Sequence, residues 1–313
     1  MTPRVYTDMP FAAYVELDGW NWSTIKLVDS HSLAHVAHAR KHRYSGDTAS
    51  RKTLRAIHAA TLEPRRFDEQ FPIYRGDPST GKKPSRNSNH YRDWKALLPE
   101  GVTDRKQHEI DHAKEVGAAI MADRWASPWL QGGHPEIVIQ WQDEATNLLC
   151  KMRADYLVLG ERSVAVSDLK SITTIARHSV GSLISRNRWY AQLTHYACGA
   201  RAAIRAGVLP DQATPWLTEG WGSVDARIVV VEEKHPVHDV GVFRLRGEQF
   251  DDPLCCGERY RAELMATLAD AVARDYWPGR YTEKGEQDAE LQDWAKGLDD
   301  IETDVDDGEW QEL

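Results

Sequence analysis

The chain has 313 residues, a formal net charge of -9, 41% hydrophobic and 28% charged residues, and a mean hydropathy of -0.58. No apolar run approaches the roughly 18 residues a membrane span needs, and no secretory apolar core precedes Trp20, so a cytoplasmic protein is expected. The four cysteines, Cys150, Cys198, Cys255 and Cys256, show neither C-x-x-C pairing nor a regular framework, which argues against a disulfide scaffold and against the usual iron–sulfur ligand sets.

Apolar periodicity and punctuation predict helices over Ser23–His42 and Ser50–Leu62. His31, His35, His38 and His42 fall on one side of the first, a face that titrates near pH 6 or meets phosphate when protonated. Gly76–Ser88, rich in Pro, Ser, Gly and Lys, reads as a mobile loop that could meet DNA. Helices follow over Asn89–Leu97 and Asp104–Trp125. Strands are expected over Glu136–Gln142, Leu148–Leu159 and Val164–Ser171, then a helix over Arg188–Ala206, strands over Arg227–Glu232 and Val240–Arg246, and a helix over Cys256–Tyr276. This order predicts an α/β (α+β) fold, a mixed central sheet flanked by helices with a helical N-terminal part.

The negative charge is not spread evenly. Residues 286–313 hold twelve acidic residues and one lysine, a balance of -11, which leaves +2 for residues 1–285. The expected organisation is one domain over 1–285 and an acidic tail over 286–313, without fixed structure or with one amphipathic helix near Leu291–Leu298. The near-neutral body can concentrate basic groups locally. Candidates are Arg40–Arg43, Arg51–Arg55, Lys82–Arg86 and Arg186-Asn187-Arg188-Trp189-Tyr190, the last mixing guanidinium and aromatic groups ahead of a helix.

The chemistry concentrates in two adjacent strand-like runs. Gly160-Glu161-Arg162-Ser163 reads as a hairpin turn, and pairing the arms about it sets Asp155 opposite Asp168. Alternation along the second strand puts Lys170 on the face of Asp168. Two carboxylates at cross-strand distance repel unless protonated, hydrogen-bonded or bridged by a cation. Mg²⁺ suits such a pair, because it accepts one or two carboxylates and keeps waters that ionise more readily than bulk water. With the Lys170 ammonium alongside, the combination suits phosphodiester hydrolysis.

Asp155 followed by Asp168-Leu169-Lys170 resembles the PD-(D/E)xK nuclease signature. The flanking segments narrow the likeness to the exodeoxyribonuclease VIII (RecE-like) group of phage and prophage exonucleases. They are His58-Ala59-Ala60-Thr61-Leu62-Glu63-Pro64 with Phe67-Asp68, Pro135-Glu136-Ile137, Arg153-Ala154-Asp155-Tyr156-Leu157, and Gln192 with Tyr196. The likeness runs from about Asn21 to Tyr281. It departs from the family pattern at Ala154, where Pro is commoner, and at Ser171, where Thr is commoner. The resemblance implies a restriction-endonuclease-like sheet in which His58, Asp155, Asp168 and the Leu169 carbonyl hold Mg²⁺, with Mn²⁺ able to substitute. It implies that Lys170 orients the attacking water and that Glu136 adds an acidic group nearby. Gln192 and Tyr196 would lie toward the DNA, with Arg188 and Trp189 as further contacts. It also implies an exonuclease acting on linear duplex ends, self-association into a homo-oligomer, and a single-strand annealing protein as a possible partner.

A second metal signal competes. His108-Glu109-Ile110-Asp111-His112 fits the H-E-x-x-H pattern of zinc metallopeptidases. The helix around it is strongly charged, and no His-x-x-Gly-x-x-His extension follows. A zinc peptidase and a catalytically silent DNA-end-binding protein therefore stand as the alternatives to the nuclease.

Overall fold

In the computed structural model, six strands form one mixed sheet in the order β1 (Arg4–Tyr6), β2 (His134–Gln142), β3 (Leu149–Leu159), β4 (Ser163–Ile172), β5 (Ser223–Glu232), β6 (Val240–Leu245). The structure describes residues 1–42, 49–81, 83–99, 102–159, 163–211, 223–234, 236–282, 284–286 and 288–289. Residues 160–162 of the proposed hairpin link, most of the acidic tail and its helix near 291–298 lie outside them. The helices are α1 (Phe11–Glu16), α2 (Trp22–Ile25), α3 (Leu27–Ser30), α4 (Leu33–Lys41), α5 (Ala49–Leu62), α6 (Phe67–Gln70), α7 (Asn89–Ala96), α8 (Gln107–Ala122), α9 (Arg177–Arg186), α10 (Trp189–Ala206) and α11 (Pro253–Arg274). Among the described residues no helix is long and apolar enough to cross a membrane.

Neighbouring strands are antiparallel except β4 and β5, which run parallel in register from Ser163↔Ser223 to Ile172↔Glu232. A parallel pair needs a crossover, and the chain supplies it through α9 and α10. From Ile228 to Val231 both faces of β5 are apolar, as a strand covered on two sides requires. Ile228 and Val230 face one layer, where Leu193, Ala197, Ala200 and Ile204 of α10 pack against Ile137, Ile139, Trp141, Met152 and Val166. Val229 and Val231 face the other, with Ile57 and Leu62 of α5 and Ile110, Val116 and Ile120 of α8. Each such aliphatic side chain contributes about 1.5–3 kcal/mol on burial. These two layers aim α5 and α10 at opposite faces of the same strands.

Close approach is built in with glycine. At Gly199 on α10 a Cβ would lie 2.8 Å from the Trp141 ring and 3.0 Å from Met152 Sδ, so the helix sits against the sheet without a spacer. At Gly257 on α11 a Cβ would collide with Thr194 Oγ1 of α10, which locks the two helices together.

The single helix expected over Ser23–His42 is broken into α2, α3 and α4. Ser30 Oγ donates to Lys26 O (3.0 Å) and contacts His31 Nδ1 (2.9 Å), while Ser32 is fully extended at φ -169° and ψ 169°. Serine and histidine side chains thus compete with the helical backbone at this point. The histidine face splits accordingly into two ring pairs, His31–His35 at 5.1 Å and His38–His42 at 4.5 Å. The short edge strand β1 and the Ser- and Gly-containing α9 carry weak periodicity and were not expected. Buried Lys151 reaches from β3 to the carbonyls of Tyr14 (2.8 Å), Val15 (3.3 Å) and Leu17 (2.5 Å), a cation closing the C-terminal end of α1.

Candidate active site

β3 pairs with β4 only from Leu159↔Val164 to Tyr156↔Ser167. Beyond that point β3 stays with β2 as far as Leu149↔Gln142, and β4 stays with β5. The sheet therefore opens into a fork. Asp155 and Asp168 are the first residues past the last pair, one on each arm, as the hairpin register predicted. The Leu169 N–H, which a continuing ladder would have paired with a β3 carbonyl, donates instead to Asp155 Oδ2 at 2.7 Å.

The strands are distorted at the same place. Alternate residues of a regular strand share a face, yet Met152, Ala154 and Leu157 all join the α10-side core while Tyr156 joins the opposite one. The phase slips at Asp155, so β3 does not keep the strict alternation of a regular strand. Facing it on β2, between Pro135↔Tyr156 and Ile137↔Ala154, Glu136 has φ 51°. A non-glycine residue in this left-handed region costs on the order of 1 kcal/mol or more and is held by its surroundings. Here Glu136 Oε2 accepts from Arg153 Nε at 2.6 Å.

Two groups of side chains converge on the fork. The first is His58 of α5, Glu136 and Asp155, whose ligand atoms all lie within 4.8 Å of one another. His58 Nδ1 is 3.6 Å from Asp155 Oδ2. The second centres on Asp168, buried at 1% exposure. Its Oδ2 is 2.5 Å from Lys170 Nζ, an ionic neighbour without regular hydrogen-bond angles, and its Oδ1 accepts from Gln192 Nε2 at 3.2 Å. Gln192 also donates to Tyr196 Oη at 2.9 Å, so the i, i+4 pair on α10 acts as one buttress for Asp168. Trp189 joins this group, its ring 5.8 Å from Lys170 Nζ. Arg188 does not. It lies over the Tyr260 ring at 5.1 Å, toward α11.

Electrostatics at the fork are those of crowded acids. Burial first, then the Asp168 charge, pushes the Asp155 carboxyl up to about 7. Burial likewise raises Glu136, with Asp155 adding to it and Arg153 opposing. Burial depresses His58 and keeps its imidazole neutral, although a hydrogen bond to the Leu169 backbone and nearby acids pull the other way. For Lys170 burial acts downward, but Asp168 and Asp155 outweigh it and hold the ammonium above its usual range. Burial raises the Tyr196 hydroxyl well above its usual value, so it stays protonated.

Carboxylates that are costly to ionise, a neutral imidazole and a backbone carbonyl form a hard, mostly oxygen donor set. It fits a divalent cation of the Mg²⁺ or Mn²⁺ class. The H-E-x-x-H segment has no comparable geometry. His108 is exposed, and both oxygens of Glu109 are engaged, one by the Lys106 N–H at 2.8 Å as a helix cap and one by Arg105 at 3.3 Å.

No protein-family model and no curated protein matches this chain.

Two groups at the fork had no assigned role in the sequence. In sequence Arg153 is only a neighbour of Asp155, yet it holds Glu136 and keeps a buried Nη1 without a hydrogen-bond partner. Lys26 is half-buried between α2 and α3. Burial, followed by the neighbouring cations Lys170 and Arg51, holds its ammonium below the usual value. Arg51 belongs to one of the four basic runs; in two others Arg40 pairs with Asp18 at 3.3 Å and Arg86 with Asp104 at 2.9 Å. No sequence signal marks Lys26.

Proposed function

We propose that this chain is a metal-dependent DNA exonuclease that hydrolyses phosphodiester bonds of linear duplex DNA and leaves a single-stranded overhang. The observation that carries the reading is the fork: two acidic side chains from diverging strands, with the Lys170 ammonium held 2.5 Å from Asp168 on the same edge. A bound divalent cation supplies a readily ionised water and neutralises charge in an in-line displacement. His58, Asp155, Asp168 and the Leu169 carbonyl would hold it, with Glu136 adjacent.

The chain's own residues divide the remaining work. Lys170, kept charged by its acidic neighbours, offers donors to the nucleophile or to a non-bridging phosphate oxygen. Gln192 and Tyr196 fix Asp168, so that carboxylate and ammonium keep their relative position. Lys26 and Arg51 extend the positive edge beyond Lys170 and favour the phosphate backbone despite the net negative charge of the whole chain. The reading places the enzyme in the cytoplasm, acting at DNA ends as a homo-oligomer and passing the exposed strand to an annealing protein.

Incubation with end-labelled linear duplex and Mg²⁺ tests this. Nucleotide release that Lys170→Ala lowers at least about 100-fold, with duplex affinity retained, supports it. Undiminished release in Lys170→Ala overturns it, and duplex binding without any release favours the end-binding alternative.

A further inference from the structure

His112 and Glu115 are three residues apart on α8 and share one face. The β5–β6 connection brings His238 against them, so that one ligand atom from each of the three lies within 4.8 Å of the others. The two imidazoles meet edge to face with centroids 5.6 Å apart. His238 is held for this position. Its φ is 47°, a conformation L residues rarely adopt, and its Nδ1 sits 3.1 Å from the Glu232 carbonyl. That contact places the proton on Nδ1 and leaves the Nε2 lone pair available, the arrangement by which backbone carbonyls orient metal-ligating histidines.

We propose that His112, Glu115 and His238 form a second cation site, selective for Zn²⁺-class ions and separate from the fork. Two imidazoles and one carboxylate suit a borderline ion, whereas the oxygen-rich fork suits a hard one, so the two sites sort metals by chemistry. Tetrahedral zinc, with bonds of about 2.0–2.1 Å, needs ligand atoms about 3.3 Å apart. Rotation of the exposed Glu115 and small ring movements close that gap. Only one half of the H-E-x-x-H pattern is used: His112 ligates, and Glu109 remains a helix cap. A bound ion would tie α8 to the β5–β6 turn, above the packing of Val116 on Val231 and Val240. The site also abuts the segment that follows Lys170, because the Glu232 side chain accepts the Ile175 N–H at 2.5 Å.

Zn²⁺ alone, titrated into the full chain against a chromogenic chelator, tests the site independently of any nuclease activity. The wild type and an Asp155→Asn/Asp168→Asn variant are expected to bind one equivalent with the same affinity, and to gain about 2 °C or more in Tm. His238→Ala and the surface change Glu115→Gln are expected to weaken that equivalent at least tenfold and to lose the Tm gain, with unchanged circular dichroism. Wild-type Zn²⁺ affinity in both of these variants overturns the proposal, as does loss of Zn²⁺ in the fork variant or no binding by the wild type.

Discussion

The backbone N–H of Leu169 donates to the side chain of Asp155 at 2.7 Å, a main-chain donor satisfied by a carboxylate where the β3–β4 ladder ends. That single bond marks the place where a structural element becomes a site. It anchors Asp155 across the fork, and it faces the Leu169 peptide toward the acids.

Asp155 is expected to be a liability to the metal-free protein. An acid with a folded value near 7 and an ordinary unfolded value near 4 binds more protons folded than unfolded between those limits, so its contribution to stability falls as pH rises through that window. Asp155→Asn keeps an acceptor for the Leu169 N–H and removes the charge. It should raise metal-free stability at pH 8 by on the order of 2 kcal/mol, measured by urea unfolding in EDTA, with little change at pH 4. Equal stability of variant and wild type at pH 8 would contradict the assignment.

Cation affinity at the fork should carry the opposite signature. Because protons compete for Asp155, Mn²⁺ affinity measured by calorimetry is expected to fall about tenfold per pH unit below about pH 7. A flat profile between pH 5.5 and 7 would remove Asp155 from the ligand set.

Much of this was legible beforehand. The strands are long apolar runs, so their ends were placed within a residue or two for β3 and β4, and symmetric counting about a short link put Asp155 and Asp168 side by side. Gln192 and Tyr196 fell on one face because helical spacing is reliable over a single turn. The slip at Asp155 and the positive φ of Glu136 were invisible, because phase errors depend on how two neighbouring strands twist together rather than on either sequence. Arg153 and Lys26 were missed for a different reason. Their roles arise from contacts with Glu136 on another strand and with Lys170 far along the chain. The break at Ser30–Ser32 was local chemistry, carried by residues that the apolar pattern does not weigh.

The contact between α10 and α11 should tolerate no added carbon. Gly257→Ala would drive a Cβ into Thr194 Oγ1 and to 3.1 Å from the Tyr190 carbonyl, both on the helix that carries Gln192. A loss of about 1–3 kcal/mol is expected from denaturant midpoints, accompanied by reduced activity. Wild-type stability in Gly257→Ala would show that the helices are not in this contact.

Acid sensitivity should reside partly in His195. Its ring is buried, donates from Nε2 toward the Lys151 carbonyl (3.2 Å) and accepts at Nδ1 from Arg261 Nε (3.2 Å). Burial, reinforced by Arg261, lowers it to about 3. Neutral His195 therefore contributes its full stability above pH 6.5, and that contribution is lost as pH falls, with a slope of up to about 1.4 kcal/mol per pH unit. His195→Asn should flatten the stability profile between pH 6.5 and 4.5, and an unchanged slope would assign the acid lability elsewhere.

The central claim is that the fork acids share one cation. Crystals soaked in Mn²⁺ and measured at the manganese absorption edge test it most directly. An anomalous peak bonded to the carboxylates of Asp155 and Asp168, with His58 beside it, is the predicted result. A saturating soak that leaves the fork without a peak, or carboxylates turned away from a common point, would contradict it.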